Sequence, residues 1–94
     1  MTEYIRNALR ITTADFDDEI DEVVANCLTE LELAGAVKVT EDSEIFARCA
    51  VLYAKAHFGY LDDSEKYQRA FERLRDTLAV SAEYGSVDED GDDG

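Results

Sequence analysis

The sequence predicts an all-α fold, a small bundle of about four helices followed by a flexible acidic C-terminal tail. Three observations lead there. Proline is absent and glycine occurs only five times, with Gly85, Gly91 and Gly94 close to the end, whereas strands joined by tight turns need more of both. Apolar residues recur at three- and four-residue spacing along most of the chain, the period of a helix face. Acidic and small polar residues gather where these periodic stretches begin, and glycines stand where two of them stop, as helix capping requires.

The first helix is expected over residues 3–9, with Thr2 as N-cap and Tyr4, Ile5, Ala8 and Leu9 along one apolar edge. A threonine-rich connector follows. The second helix is expected over residues 16–34, where Phe16, Ile20, Val23, Val24, Cys27, Leu28 and Leu31 form a continuous stripe. Thr13 or Asp15 can cap it, and the acids of its first turn complement the helix dipole. Gly35 suits the left-handed position that closes a helix. Residues 36–40 alternate apolar and polar side chains, yet the segment is too short and solitary to build a sheet.

The third helix is expected from Asp42 or Ser43 to Phe58, ending at Gly59. Ile45, Cys49, Leu52, Tyr53 and Ala56 form its main stripe, while Ala47, Val51, Ala54 and Phe58 lie on the far side. A helix apolar nearly all round sits at the centre of a bundle or under another subunit. The fourth opens with Asp62-Asp63-Ser64-Glu65, where Asp62 and Glu65 have capping-box spacing. Tyr67, Ala70, Phe71, Leu74 and Leu78 face inward; Lys66, Arg69 and Arg73 gather on the other side. A chain of 94 residues makes one domain. We place the helical domain at residues 1–82 and the acidic tail at 83–94.

Charge narrows the function classes. Against 9 basic residues stand 23 acidic ones, a formal net charge of −14. Setting aside the tail acids Glu83, Asp88, Glu89, Asp90, Asp92 and Asp93 leaves 17 against 9, a net of −8. Such a chain is a poor ligand for nucleic-acid phosphates or anionic membranes, which are bound through lysine and arginine. No apolar run approaches the roughly 18 residues that span a bilayer. The opening residues, with Glu3 among them, do not read as a signal peptide, so retention inside the producing cell is expected. Cys27 and Cys49 fall on apolar helix faces and read as buried thiols of a reducing compartment.

Little in the sequence points to catalysis. The acids Asp15, Asp17, Asp18, Glu19, Asp21 and Glu22 mark a helix start and a solvated face. His57 lacks a partner nucleophile or a second histidine. Asp88-Glu89-Asp90-Gly91-Asp92-Asp93 departs from a calcium loop, because its glycine comes too early and no bidentate glutamate follows. No enzyme activity, metal or cofactor is therefore expected. One pattern is left. Acids of the second helix (Asp17, Asp18, Asp21) and bases of the fourth (Lys66, Arg69, Arg73, Arg75) are segregated, which suits either intrachain pairing or a head-to-tail contact between copies.

The layout also resembles a known family. Leu9-Arg10-Ile11 is followed by Asp15-Phe16-Asp17-Asp18-Glu19-Ile20; then come Ala50-Val51-Leu52-Tyr53-Ala54-Lys55-Ala56-His57-Phe58-Gly59-Tyr60 and Tyr67-Gln68-Arg69-Ala70-Phe71-Glu72-Arg73-Leu74. Over roughly residues 3–80 this resembles the head–tail connector (adaptor) proteins of tailed bacteriophages; the acidic tail lies outside the resemblance. The resemblance implies a homo-oligomeric ring, commonly of twelve subunits, bound beneath the portal protein in the virion neck and assembled in the host cytoplasm. Such a ring extends the DNA channel, lets duplex DNA pass without specific binding, and docks a stopper or tail-completion protein. Subunit-interface candidates are then Leu33, Val51 and Phe58, which lie off the main stripes, with Asp17, Asp18 and Asp21 facing Lys66, Arg69 and Arg73. Portal-contact candidates are Leu78, Tyr84, Val87, Asp88, Glu89 and Asp90. The alternatives are an acidic DNA mimic and a helical regulator that dimerises through the third helix.

Overall fold

The computed structural model describes residues 1–59 and 63–85. Among them are four α-helices, α1 (Thr2–Ala8), α2 (Asp17–Ala34), α3 (Glu44–Phe58) and α4 (Asp63–Ala79), with a 3-10 turn at Ala14–Phe16 ahead of α2. The described residues contain no strand. The expected all-α bundle is what forms, and α3 is its centre, packing against each of the other three helices.

The helix ends follow from local chemistry. At the end of α2, Gly35 takes φ 109°. Its N–H reaches the Glu32 carbonyl at 3.1 Å, and the Ala36 N–H reaches the Leu31 carbonyl at 2.8 Å. This pair of bonds is a Schellman closure, which satisfies carbonyls the helix cannot. The same closure ends α1, with Arg10 N–H on Asn7 at 3.1 Å and Ile11 N–H on Arg6 at 3.0 Å. There the left-handed position is held by Arg10, the one described non-glycine residue with positive φ (62°). Gly59 closes α3 at φ 64°, as its position in the sequence suggested.

Two helix starts differ from expectation. Thr2 is the first residue of α1 rather than its cap, and its hydroxyl donates to the Asp21 carboxylate instead, tying α1 to α2. Thr13 caps the 3-10 turn, accepting the Asp15 N–H at 3.2 Å. Phe16 therefore lies in that turn, outside α2. Asp62, the other half of the capping box read at α4, lies outside the described residues.

The core is wholly apolar. Ile5, Leu9, Ile20, Val23, Cys27, Leu31, Phe46, Cys49, Ala50, Ala54 and Phe71 are its main buried side chains, and among the described residues no polar or charged residue is buried with them. The α2 stripe falls where its spacing put it, save Phe16, which is 42% exposed. On α3 the stripe is rotated. Phe46, Cys49, Ala50 and Ala54 turn inward, whereas Ile45, Leu52, Tyr53 and Ala56 are half-buried. Adjacent apolar residues 45 and 46 permit either rotation, and the phenylalanine fills the larger space. Tyr53 meets Phe71 edge-on at 4.9 Å between ring centres, a favoured geometry that joins α3 to α4.

Residues 36–40 form turns, not a strand. Ala36 and Val39 are buried, and the Lys38 N–H donates to the Tyr84 carbonyl at 2.9 Å. That bond brings the chain after α4 back against the body. The Tyr84 N–H donates to Ser81 Oγ at 3.0 Å, and the Gly85 N–H to the Ser81 carbonyl at 2.8 Å. Tyr84 and Gly85, read from the sequence as tail, are thus packed on the helical body.

Candidate functional site

Among the described residues the surface has two features left unpartnered, one basic and one acidic. The basic one is a groove between α3 and α4. Its central hollow is lined by Arg48, Leu52, Ala70, Arg73, Leu74 and Thr77. Toward the start of α4 it continues past Arg73 to Arg69 and Lys66. At the other end Arg48 is shared with a hollow lined by Glu44, Ile45 and Tyr84. A side branch reaches Tyr4, Ala47 and Val51. Helical spacing explains the composition: Lys66, Arg69 or Ala70, Arg73 and Thr77 recur at three to four residues and so share one face of α4. Leu52, Ala70 and Leu74 are half-buried and give the groove an apolar floor.

Its cations are little engaged. Arg69 pairs with Glu65 at 2.9 Å within α4, both side chains being 70% or more exposed, an arrangement worth a few tenths of a kcal/mol. Lys66 Nζ lies 5.9 Å from the centre of the Tyr67 ring. Arg48 and Arg73 have no ion-pair partner among the described residues.

The acidic feature is the outer face of α2, a helix with seven acids and no lysine or arginine. Three of them have partners within the chain. Asp17 Oδ1 meets Arg6 Nε at 3.1 Å, and both atoms are shut off from water. Glu19 meets His57 at 2.9 Å, and Glu30 meets Arg75 at 3.7 Å. Asp18, Asp21, Glu22 and Glu32 stay exposed, in a stripe that also carries Ala25 and Thr29. Leu33 beside it is 83% exposed. Between the acids of α2 and the bases of α4, intrachain pairing is confined to Glu30 and Arg75 among the described residues. Lys66, Arg69 and Arg73 do not meet Asp17, Asp18 or Asp21.

The other candidates divide in the same way. Val51 is half-buried in the side branch of the groove. Phe58 is half-buried too, its ring edge-on to Phe16 at 6.2 Å, so an intrachain partner already covers much of it. Leu78 is 5% exposed and belongs to the core, which corrects its place among the portal contacts: it offers no surface. Tyr84 lines the groove end. Val87, Asp88, Glu89 and Asp90 lie outside the described residues. Arg48, which links three of the hollows, was missed by reading one helix at a time; its place at the meeting of α3, α4 and Tyr84 is purely tertiary.

The remaining reactive groups are subdued. Cys27 and Cys49 are free and buried. Burial pushes the Cys27 thiol far up from its ordinary value and Cys49 up to about 11, so neither is a ready thiolate nucleophile. Among the described residues no three of His, Cys, Asp or Glu are grouped to hold a metal ion, and no helix is long and apolar enough to cross a membrane. No protein-family profile, curated protein or solved structure matches the chain.

Proposed function

We propose that this chain is a structural, non-catalytic ring subunit, a head–tail connector of a tailed bacteriophage. It binds beneath the portal, extends the DNA channel and docks the stopper or tail-completion protein. The observation that supports this reading is the pair of complementary faces that do not neutralise each other within one chain. A surface groove rimmed by Arg48, Arg69 and Arg73 and an acidic stripe on α2 are self-complementary only between copies. A contact between two different patches of the same chain is heterologous, and it closes into a ring when its rotation permits.

The dimensions agree. From Asp18 to Glu32 the α2 stripe runs for about 21 Å at 1.5 Å per residue, and Lys66 to Thr77 spans about 17 Å. Docking would bring Asp18, Glu22 and Glu32 toward the cations and set exposed Leu33 against apolar surface. The α2 acids form one stripe on one helix rather than two phosphate-spaced rows, which favours a subunit contact over a DNA mimic. Burying the basic groove in the contact leaves an acidic channel surface. Duplex DNA then slides through without the counterion release that makes lysine- and arginine-rich surfaces bind.

The test has two parts. Purified chain mixed with its portal protein is imaged by electron microscopy, where rings on the portal are expected. Arg73→Glu should abolish them, and Arg73→Glu combined with Glu22→Arg should restore part of the assembly. Deleting the gene should yield DNA-filled heads that lose their DNA and fail to join tails. Tailed, infectious particles in normal number would sink the proposal.

A further inference from the structure

Where the chain leaves the body decides what else the groove can hold. Gly85 is buried at the C-terminal end of α4, fixed by the Ser81 carbonyl, while Lys38 holds the Tyr84 carbonyl. Tyr84 itself lines the hollow that contains Arg48. The described chain thus ends, at Gly85, beside the groove end that holds Arg48, and nine residues follow it. They read Ser86-Val87-Asp88-Glu89-Asp90-Gly91-Asp92-Asp93-Gly94, with five acids and no base.

We propose that in the free subunit the segment from Val87 to Asp93 occupies the α3–α4 groove of its own chain and shields it from the neighbouring subunit, a regulation that rests on the ring reading above. Three arguments carry it. The first is reach. Eight residues from Gly85 to Asp93 extend about 26–29 Å at 3.3–3.6 Å each, whereas the groove from Thr77 back to Lys66 is about 17 Å long. Running antiparallel to α4, the segment can pass every cation of the groove without straining its anchor.

The second is complementarity. Arg48 and Arg73 have no ion-pair partner among the described residues, Lys66 and Arg69 lie at the surface, and the segment carries carboxylates alone. Val87, its one apolar side chain, comes before the acids, and the groove floor offers Leu52 and Leu74 to it. The third is tethering. A short link gives the segment an effective concentration on the order of millimolar, so even a weak charge-based contact fills the groove. Tail and α2 stripe carry the same sign and seek the same cations, so one excludes the other. A subunit alone then stays monomeric, and a partner that captures the tail frees the groove for the next copy.

The experiment uses the full chain without portal. A nitroxide is attached at Gly91→Cys, the native thiols being buried, and amide spectra are recorded on 15N protein. The amides of Ala70, Arg73 and Thr77 should lose at least half their intensity in low salt. They should recover in high salt and in the Arg48→Glu/Arg73→Glu variant. Spin-labelled unenriched chain mixed with unlabelled 15N chain should cause no loss. Absent broadening would overturn the inference, as would broadening confined to the mixed sample, which makes a second copy the occupant, or broadening indifferent to salt and to the variant. Rings on the portal with no broadening of the free chain would remove this inference and keep the ring; broadening with no ring would do the reverse.

Discussion

Arg10 is a position where exchange for glycine should make the protein more stable. It occupies the left-handed site of the α1 Schellman closure at φ 62°, while the equivalent site after α2 is Gly35 at φ 109°. A side chain costs about 1–2 kcal/mol in that conformation, because Cβ crowds the following carbonyl. Glycine removes the cost but adds about 0.5–1 kcal/mol of unfolded-chain entropy, so Arg10→Gly should gain about 0.5–1 kcal/mol. Nothing is lost in exchange, since Arg10 is exposed and makes no ion pair among the described residues. At about 4–8 °C per kcal/mol for a domain of this size, calorimetry should show Tm rising by a few degrees. Arg10→Ala, which removes the charge and keeps Cβ, should leave Tm nearly unchanged. Gly59→Ala should do the opposite of Arg10→Gly. A Cβ there meets nothing within 4 Å, so strain alone acts and Tm falls by a few degrees. If Arg10→Gly melts no higher than Arg10→Ala, left-handed strain is not what limits this helix end.

Three further outcomes are expected. Gly85→Ala places Cβ 2.2 Å from the Ala79 carbonyl oxygen and 2.6 Å from that of Ser81, so residues 84 and 85 must leave the body; amide exchange at Lys38 should speed up at least tenfold while the core amides hold. Phe46→Ala should cost about 3–5 kcal/mol and half-buried Ile45→Ala only about 1 kcal/mol, measured by urea denaturation; equal losses would return Ile45 to the core stripe. Cys49, pushed up to about 11 in the folded chain, ionises in the unfolded chain near pH 8.5–9, so the unfolded state binds fewer protons above that pH. Its contribution to stability is whole below pH 8.5 and is lost as the pH rises toward 11, at up to about 1.4 kcal/mol per unit; Cys49→Ala should flatten that decline, and an unchanged slope would refute the assignment.

Most of the fold was legible because local signals and tertiary packing agree. The α2 stripe, Gly35 and Gly59 each name their conformation through side-chain period or the absence of Cβ. Phe46 was not legible, because α3 is apolar nearly all round and its period does not choose between residues 45 and 46. The left-handed Arg10 gives no sequence signal; only its two backbone bonds reveal it. The site was half legible. Segregation of acids on α2 and bases on α4 was plain. That Arg6, His57 and Arg75 would take up Asp17, Glu19 and Glu30 depends on distances between helices, which spacing along one helix does not contain.

That division of the charges bears on what a second copy of a chain of net −14 would meet. At physiological ionic strength the screening length is about 8 Å, so whole-molecule repulsion reaches little beyond the groups that face each other. Asp17 and Glu30 are already paired with arginines of their own chain and contribute little to any outer field, and Glu19 is hydrogen-bonded to His57. What a neighbour meets is local: exposed carboxylates on α2, or Arg48 and Arg73 in the groove. Net charge bears on solubility and on any encounter with DNA phosphates, while the charge pattern bears on association. The segment after Gly85 carries five more carboxylates. On the proposal above, the tail would set the groove's local sign, and with it whether a second copy is attracted or turned away.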